Sequence, residues 1–336
     1  MNYPKISIVT PSFKQGKYLE QTILSIIDQQ YPNLEYIIID GGSTDNSVEI
    51  VKKYEKHLTY WISEKDKGQS DAINKGLNKA TGELFNWINS DDLLEPGSLL
   101  KIAETYQQNP SKKIFSFGLN YLKGDKKELF DLRNNPEDRL QCFCDPVISQ
   151  PATFFSLKDL KPLGGVNITL HYSMDYELWL RFMFAYSESS ILVDKTKIAS
   201  FRLHDQAKTA EGNANFVNDM ASVLYSLSGK AGLKKYHQML DETFTVRKQY
   251  EFVCPSERID EKLVERMVVY FLLKWKKNVY SKNDFTSVKN ILKKIRFDSM
   301  TLSGKEKDWL KTMKENANYT SWLEFRAKRK IRHILK

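Results

Sequence analysis

The amino-acid sequence predicts an α/β protein with a mixed, mostly parallel sheet flanked by helices, followed by a helical C-terminal region. Two observations carry this prediction. Over about the first ninety residues, short apolar runs alternate with segments that repeat apolar residues at helical spacing, the pattern of right-handed βαβ units. After Pro255 the chain has no further proline and a single glycine, Gly304, and this composition favours helices.

The predicted elements follow one another along the chain. The first four strands are expected at residues 5–10, 35–40, 58–63 and 83–89. The helices between them are expected at 16–30, from the capping residues 43–46 onward, and at 69–80. The later elements are a helix to about residue 108, a strand at 113–122, a hairpin near 123–125, a strand at 148–155, a helix at 174–182 and strands at 191–193 and 197–204.

Polar residues follow several of these strands, where a parallel sheet of this kind binds its ligands. The fourth strand ends on two adjacent carboxylates, Asp91 and Asp92. Such a pair repels itself unless water solvates it or a cation lies between the two groups. The sequence therefore leaves two interpretations of this stretch, a solvated turn that caps a helix or a site for a divalent metal ion.

The charge of the chain is divided unevenly. Residues 1–210 hold 25 Lys and Arg against 27 Asp and Glu, whereas residues 211–336 hold 26 against 15, so the net +9 arises entirely in the last third. This asymmetry predicts two modules with different electrostatic properties. We place a catalytic domain at 1–215 and a basic, mainly helical region at 216–336, which serves acceptor, membrane-surface or subunit contacts.

The cellular location is predicted from cysteines and targeting segments. The three cysteines, Cys142, Cys144 and Cys254, have neither a disulfide framework nor zinc-site spacing, so a reducing cytoplasm is expected. The N-terminus runs directly into a strand without a signal peptide, and the longest uncharged apolar stretch, 267–273, is too short to span a bilayer.

Five motifs resemble those of a known family. They are Thr10-Pro11-Ser12, the stretch from Asp40 to Asp45 (DGGSTD), the stretch from Gly68 to Gly76 (GQSDAINKG), Asn89-Ser90-Asp91-Asp92, and the stretch from Asp175 to Arg181 (DYELWLR). Their types and order resemble family 2 glycosyltransferases, which are inverting enzymes of the GT-A type. The resemblance covers roughly residues 4–210 and implies a GT-A-like (Rossmann-like) fold and a nucleotide-sugar donor, most simply a UDP-sugar.

The resemblance also implies which residues bind the nucleotide sugar. These are Thr10, Pro11, Asp40, Asp71, Lys75, Asn89, Ser90, Asp91 and Gln150. For Asp40, contact with uracil or ribose stands against a helix-capping role before Ser43, and Asp45 is open to the same two interpretations. For Lys75, contact with phosphate stands against an ion pair with Asp71 one turn earlier.

The acidic motif predicts a metal site within this resemblance. A diphosphate leaving group needs its developing charge neutralised, and Mn²⁺ or Mg²⁺ with few protein ligands does this. We expect Asp91 as a direct ligand, Asp92 as a supporting one, and His204, which follows a late strand, to complete the shell. Asn89 stands where the family's D-x-D pattern has its first Asp, which removes one charge from the site. Nearby Lys208 is a candidate for the diphosphate or a solvated lysine.

Asp175 is the expected catalytic base. Inverting transfer is a single displacement at the anomeric carbon, and one carboxylate must take the proton of the acceptor hydroxyl. Asp175 also begins a predicted helix with an apolar face, so a capping role is the alternative. Trp87 and Trp179 are expected in the core rather than as platforms for a sugar ring.

The end of the chain predicts an amphipathic helix. Its apolar face holds Leu323, Ala327, Ile331, Ile334 and Leu335, and basic residues occupy the remainder. Such a helix lies on anionic lipid or docks on its own domain, and both interpretations stay open. Without a nucleic-acid-binding motif, the charge does not indicate DNA or RNA as a partner.

These observations lead to one functional prediction. We expect an inverting, metal-assisted glycosyltransferase that moves a sugar from a UDP-sugar to a saccharide or lipid-linked acceptor in bacterial surface glycan biosynthesis. It would work in the cytoplasm, with peripheral contact at the inner face of the membrane as a further option. The alternative is a non-catalytic protein of the same fold that binds sugar nucleotides or acts as a membrane-docked scaffold.

Overall fold

A computed structural model of the chain describes residues 3–124, 126–129, 135–205, 207–208 and 213–334. Their contacts divide into two compact units, Met1–Phe216 and Val217–Lys336. This division lies one residue from the expected domain boundary. Each unit is described separately below.

The first unit is built on a mixed nine-stranded sheet. Its strands are β1 (Ile6–Ser12), β2 (Leu34–Asp40), β3 (Tyr60–Ser63), β4 (Leu84–Trp87), β5 (Leu93–Leu94), β6 (Ile114–Lys123), β7 (Lys126–Leu129), β8 (Thr153–Ser156) and β9 (Ile191–Leu203). The order is β3-β2-β1-β4-β8-β6-β9-β5, and β7 pairs with β6. The first four strands are all parallel, whereas β8 joins β4 and β6 in antiparallel fashion.

Helices connect and cover these strands. They are α1 (Leu19–Ile27), α2 (Ser47–Lys53), α3 (Gln69–Lys79), α4 (Ser98–Gln108), α5 (Arg139–Cys144), α6 (Leu157–Leu160) and α7 (Met174–Tyr186). One apolar core cluster joins the sheet to α1 and α4 through residues such as Ile8, Ile23 and Ile102, all fully buried. Trp87 and Trp179 are buried as predicted.

Two strand predictions were wrong in their extent. The strand expected at 148–155 starts only at Thr153, because Gln150–Ala152 form a 3₁₀ turn around Pro151, which has no N–H to donate to a ladder. The two short strands expected at 191–193 and 197–204 are one strand, β9, whose pairing with β6 shifts register near Gly118. The polar residues 194–196 lie between the two predicted strands, and the sequence gives no sign that the chain stays extended through them.

The second unit is helical, as predicted. Its helices are α8 (Asn213–Lys230), which starts just before the division, α9 (Lys234–Thr243), α10 (Glu261–Lys276), α11 (Lys282–Lys294), α12 (Gly304–Ala317) and α13 (Trp322–Ile334). Capping boxes begin α11 at Ser281 and α12 at Ser303. The Arg266–Glu306 ion pair joins α10 to the start of α12. Among the described residues, no helix combines the length and apolarity needed to cross a membrane.

Candidate active site

The candidate site lies where the parallel strands end. Strands β1 and β2 pair in register so that Ser12 lies opposite Asp40, and β4 ends beside Val9 of β1 at Trp87. The loops after these strands therefore meet at one edge of the sheet. Asn89 to Asp92 lie in the loop after β4 and Asp71 lies in the first turn of α3, whereas Thr10, Pro11 and Asp40 lie at the ends of β1 and β2.

Asp40 organises the loop after β2. Its carboxylate is buried and accepts hydrogen bonds from Gly42 N (3.1 Å), Ser43 N (2.8 Å), Ser43 Oγ (2.5 Å) and Ser63 Oγ (2.6 Å). Four hydrogen bonds from the protein engage both oxygens, and they fold the loop after β2 rather than cap α2, whose N-cap is Asn46. Contact of Asp40 with ribose or uracil stays a prediction.

Asp45 also has a structural role. Its oxygens accept from Ser47 N (3.1 Å), Ser47 Oγ (2.6 Å) and Gly16 N (3.0 Å), which ties the start of α2 to the loop after β1. Burial opposes ionisation of this carboxyl, but these hydrogen bonds outweigh it and hold the pKa of Asp45 below its usual value.

The end of β1 presents a different residue from the expected ones. The hydroxyl of Thr10 is buried and bonds to the Tyr36 hydroxyl at 3.1 Å, and Pro11 is buried too. Phe13, which sequence reasoning missed, is 54% exposed just beyond the strand, beside Lys14 with its positive φ of 53°. An aromatic residue directly after a strand end was the available signal.

At the start of α3, Lys75 and Asp71 contact other residues of the protein, and their contact with a nucleotide stays a prediction. Lys75 Nζ lies 2.7 Å from Glu64 and 3.8 Å from Asp71, and the bond to Glu64 raises the pKa of Lys75. Asp71 accepts from the backbone N–H of Lys67 at 3.1 Å. Both side chains are thus committed to the structure of this turn, and the ion-pair interpretation of Lys75 is the one observed.

A chain of amides connects α3 to the loop after β4. Gln69 Nε2 donates to Asn89 Oδ1 at 2.6 Å, Asn89 Nδ2 donates to Asp92 Oδ2 at 3.1 Å, and Gln150 Nε2 donates to the Trp87 carbonyl at 2.7 Å. Asn89 and Gln150 also approach each other at 3.4 Å. The structure therefore unites two predicted residues, and Gln69 is a member that the sequence did not reveal. Ser90 is buried beside them.

Asp91 and His204 face each other across this loop. His204 Nε2 lies 2.9 Å from Asp91 Oδ2, and both side chains remain partly accessible. The Tyr18 ring packs on the His204 ring at 4.8 Å and holds the Arg202 guanidinium at 4.9 Å on its surface. Arg202 in turn donates to the Asp91 carbonyl at 2.9 Å, so two side chains, Tyr18 and Arg202, hold this pair.

Asp92 is held by contacts within the protein, and its supporting role at a metal ion stays a prediction. Its carboxylate is buried and accepts from the backbone N–H of Arg202 at 3.0 Å, which ties the loop to β9. Burial, together with the charge of Asp91, raises the pKa of Asp92 well above its usual value. Within the described residues, no three His, Cys, Asp or Glu side chains form a group that could hold a metal ion.

The two remaining ligands nevertheless fit a divalent cation. Adjacent ligands of an octahedral Mg²⁺, at about 2.0–2.1 Å from the metal, lie about 3 Å apart. His204 Nε2 and Asp91 Oδ2 lie 2.9 Å apart and are hydrogen-bonded to each other in this structure; a cation that displaced the shared proton would find both groups at this spacing. Phosphate oxygens and water commonly supply the other positions of such sites.

Asp175 lies at the start of α7. The N-cap position is Ser173, so Asp175 is not the helix cap. Its Oδ1 accepts a hydrogen bond from the adjacent Tyr176 N–H at 2.8 Å. Burial raises the pKa of Asp175, and the charge of Lys208 partly opposes this rise. A carboxylate with a raised pKa is a stronger proton acceptor.

The turn of α7 below Asp175 anchors a glycine loop. Arg181 pairs with Glu177 at 2.8 Å in a buried position and donates to the carbonyls of Leu163 and Gly165. Asn74 of α3 grips the same loop through two bonds to the Val166 backbone, at 2.7 and 2.8 Å. Sequence reasoning missed this anchoring, because none of its partners is close in sequence.

Comparison with known proteins agrees with this geometry. The model of glycosyl transferase family 2 matches residues 7–144. An uncharacterized glycosyltransferase of Mycobacterium tuberculosis is 31% identical over 53% of this chain and 68% of its own length. The putative teichuronic acid biosynthesis glycosyltransferase TuaG of Bacillus subtilis is 34% identical over 40% of this chain and 54% of its own length.

Solved structures share the fold at low identity. TarS 1–349 of S. aureus aligns with a TM-score of 0.61 at 15% identity over 93% of this chain and 89% of its own, and the same protein has been solved with UDP-GlcNAc. The mannosyltransferase PcManGT of Pyrobaculum calidifontis, in complex with GDP-Man and Mn²⁺, aligns with a TM-score of 0.53 at 14% identity over 94% of this chain and 86% of its own. The sheet, its polar edge and these matches define a GT-A glycosyltransferase. The chain belongs to glycosyltransferase family 2.

Proposed function

We propose that this glycosyltransferase transfers a sugar from a UDP-sugar, with inversion, to a hydroxyl of a saccharide or lipid-linked acceptor in the synthesis of a bacterial surface glycan. One observation carries the proposal. Lys208 Nζ donates to Gln69 Oε1 at 2.6 Å, and the same ammonium is close enough to Asp175 to lower its pKa. Gln69 also hydrogen-bonds Asn89, which belongs to the same loop as Asp91. Lys208 and Gln69 therefore connect the Asp91 loop with the candidate base Asp175, and we assign both to one site.

Asp175 is the base of this reaction. A single displacement that inverts the anomeric carbon requires one carboxylate to accept the proton of the attacking hydroxyl. The partly desolvated position of Asp175 supports this role, because burial raises its pKa and strengthens it as an acceptor. Glu177 is excluded from the role by its buried ion pair with Arg181.

Asp91 and His204 are the residues that would hold Mn²⁺ or Mg²⁺, with Asn89 and Gln69 oriented beside them. When bound, the cation neutralises negative charge on the diphosphate leaving group. Lys208 adds a second positive charge to the same site, since its ammonium lies within hydrogen-bond distance of Gln69 Oε1 and the His171 carbonyl. Both contacts exchange readily for phosphate oxygens.

Phe13 is the proposed platform for the nucleobase. It lies beyond the carboxyl end of β1, where nucleotides bind in folds of this class, and its ring is more than half exposed. An aromatic ring offers a base a stacking surface without regard to its hydrogen-bonding edge. The donor's uracil is supported by the UDP and UDP-GlcNAc complexes of TarS, and the surface-glycan role by the name of TuaG.

Peripheral membrane contact is proposed for α13. Trp322 and Phe325 pack against Phe285 of α11, whereas Leu323 is 75% exposed, with Arg326 and Lys328 exposed beside it. The helix thus docks by one face and offers an apolar residue with basic neighbours on another, which suits anionic lipid. Of the apolar face predicted from sequence, the side chains of Ile331, Ile334 and Leu335 lie outside the described residues.

The test is release of UDP from a panel of UDP-sugars with Mn²⁺, in the presence of a bacterial lipid-linked acceptor extract. We expect release by the unchanged chain, and a loss of about 10²–10⁴-fold in Asp175→Asn. The exposed carboxylate Asp308 in the second unit provides the matched control, and Asp308→Asn should release UDP normally. Unchanged release in Asp175→Asn would contradict the base assignment, and binding of UDP without any release would favour a non-catalytic protein.

A further inference from the structure

A cavity in the second unit has the composition of a carbohydrate site. It measures about 270 Å³ and opens between the end of α10, the middle of α12 and the start of α13. Three aromatic rings line it, from Tyr280, Tyr319 and Phe325. The remaining wall includes three hydrogen-bonding side chains, Asn278, Thr312 and Asn316.

The uncharged lining restricts the class of ligand. No Lys, Arg, Asp or Glu belongs to the described lining of the cavity, so it lacks the groups that bind phosphate or a metal ion. Amides and hydroxyls each donate and accept hydrogen bonds, which suits a ligand with several hydroxyl groups. Thr312 Oγ1 and Asn316 Nδ2 already donate to the backbone carbonyls of Asp308 and Lys277, so these two side chains offer a ligand their acceptor oxygens, which suits hydroxyl donors.

The aromatic rings offer a surface for the apolar face of a ligand, beside the hydrogen-bonding groups. Tyr280 is 73% exposed and Phe325 is buried, so the rings range from the rim of the cavity to its floor. A pyranose ring has one face of C–H groups and a periphery of hydroxyls, which matches an aromatic surface bordered by amides. The volume lies just below the roughly 300–1,000 Å³ typical of sites for drug-sized ligands, which is appropriate for a single sugar ring.

The floor of the cavity is held in place by its surroundings. Phe325 packs against Tyr319 at 5.4 Å, Phe285 at 5.7 Å and Trp322 at 5.5 Å. Asn316 Nδ2 donates to the Lys277 carbonyl at 2.8 Å. This bond fixes the plane of the Asn316 side-chain amide, and it uses the nitrogen rather than Oδ1. A preorganised wall of this kind binds a ligand with a smaller loss of conformational entropy.

We propose that this cavity is a saccharide-binding site, separate from the transfer site, that takes one pyranose ring of a glycan. Its use to hold the acceptor glycan rests on the proposed transfer function. Binding of the saccharide itself does not, because the argument uses only the cavity's own lining.

Saturation-transfer NMR with the full chain tests the proposal. The probes are three disaccharides, one of N-acetylglucosamine, one of glucose and one that contains glucuronate, with UDP and Mn²⁺ present to occupy the donor site. We expect saturation transfer to at least one disaccharide. In Tyr280→Ala, the affinity for that disaccharide should fall by about fivefold or more. Because Tyr280 is largely exposed, this variant should fold, and far-UV circular dichroism checks that it does.

Two controls make the result specific. Val253, 67% exposed in the same unit but outside the cavity, provides the matched variant Val253→Ala, which should bind the probe normally. Phe13→Ala should leave probe binding unchanged while it weakens UDP binding. The proposal would be overturned if none of the three disaccharides received saturation transfer. It would also be overturned if Tyr280→Ala and the unchanged chain bound the disaccharide with equal affinity. Either result would leave UDP release intact, so failure here is distinguishable from failure of the transferase assignment.

Discussion

At the scale of single residues, the Asp91–His204 pair is defined by its neighbours. The Tyr18 ring packs on the His204 ring and also carries the Arg202 guanidinium. His204 Nδ1 is buried with no hydrogen-bond partner among the described residues, so the ring is held by the contact of its Nε2 with Asp91 and by packing against Tyr18. Tyr18 is therefore a positioning residue for the cation pair.

We predict that Tyr18→Leu weakens Mn²⁺ binding about tenfold, because groups that orient metal ligands typically contribute 10–100-fold to metal affinity. Tyr18→Phe should restore it, since the ring and not the hydroxyl makes both contacts. Free Mn²⁺ measured by electron paramagnetic resonance in the presence of UDP provides the readout. If Tyr18→Phe were as weak as Tyr18→Leu, ring packing would not be the cause.

The pH dependence of transfer should report the raised pKa of Asp175. A base works when ionised, so activity should rise with pH through the pKa of Asp175, above the usual range of an aspartate. Lys208 opposes this rise by its charge, so Lys208→Met should move the acidic limb of kcat/KM to higher pH. If the acidic limb stayed at the same pH or moved to lower pH in this variant, Lys208 would not be lowering the pKa of the base.

Among residues, the sequence anticipated which side chains lie together where position in the fold decides it, and their roles in binding stay predictions. Asn89, Asp91, Gln150 and His204 were expected in one site and are brought together. The sequence could not predict side chains whose hydrogen bonds go to residues elsewhere in the fold. Asp40, Lys75 and Asp92 are bound by Ser63, Glu64 and the Arg202 backbone, and no spacing in the sequence predicts those contacts.

At the scale of elements, α3 lies unusually close to β1. A Cβ built on Gly76 would lie 2.4 Å from Val9 Cγ1, and α3 also supplies Gln69 and Asn74 to the site region. The absence of a side chain at Gly76 is what allows the helix to approach the strand. Elements were predicted well wherever local periodicity is strong, whereas β9 and the turn before β8 depend on register shifts that only the assembled sheet reveals.

We predict that Gly76→Ala destabilises the protein by up to about 2 kcal/mol. The gain of helix propensity, about 1 kcal/mol, is smaller than the typical 1–3 kcal/mol cost of overpacking against a buried strand. Gly304 starts α12 with nothing within 4 Å of its Cβ position, so Gly304→Ala should be neutral or slightly stabilising. Urea unfolding of both variants measures this, and equal effects would argue against close packing at Gly76.

At the scale of the whole molecule, charge and fold are divided between the two units. The first unit carries the candidate active site and, over residues 1–210, a nearly balanced charge, whereas the second unit carries the basic excess, the cavity described above and α13. The charge asymmetry on either side of residue 210 predicted two modules, and the proline-free, glycine-poor sequence after Pro255 predicted the helices of the second. The cavity could not be predicted, since its lining comes from three segments that are distant in sequence.

Membrane binding should depend on the exposed residue of α13. We expect Leu323→Glu to reduce flotation of the full chain with vesicles of phosphatidylglycerol and phosphatidylcholine, because it places a charge in the apolar contact and repels anionic lipid. Val253→Glu, at another exposed apolar residue of the second unit, is the matched control. Equal flotation of both variants and the unchanged chain would refute the membrane contact.

Calorimetric titration of the full chain with UDP tests the central claim most directly, namely that Asp91 and His204 hold a cation against the diphosphate. The account predicts binding in Mn²⁺, a large loss of affinity in EDTA, and the same loss in His204→Ala with the metal present. UDP affinity that is equal with and without Mn²⁺, and equal in His204→Ala, would contradict it.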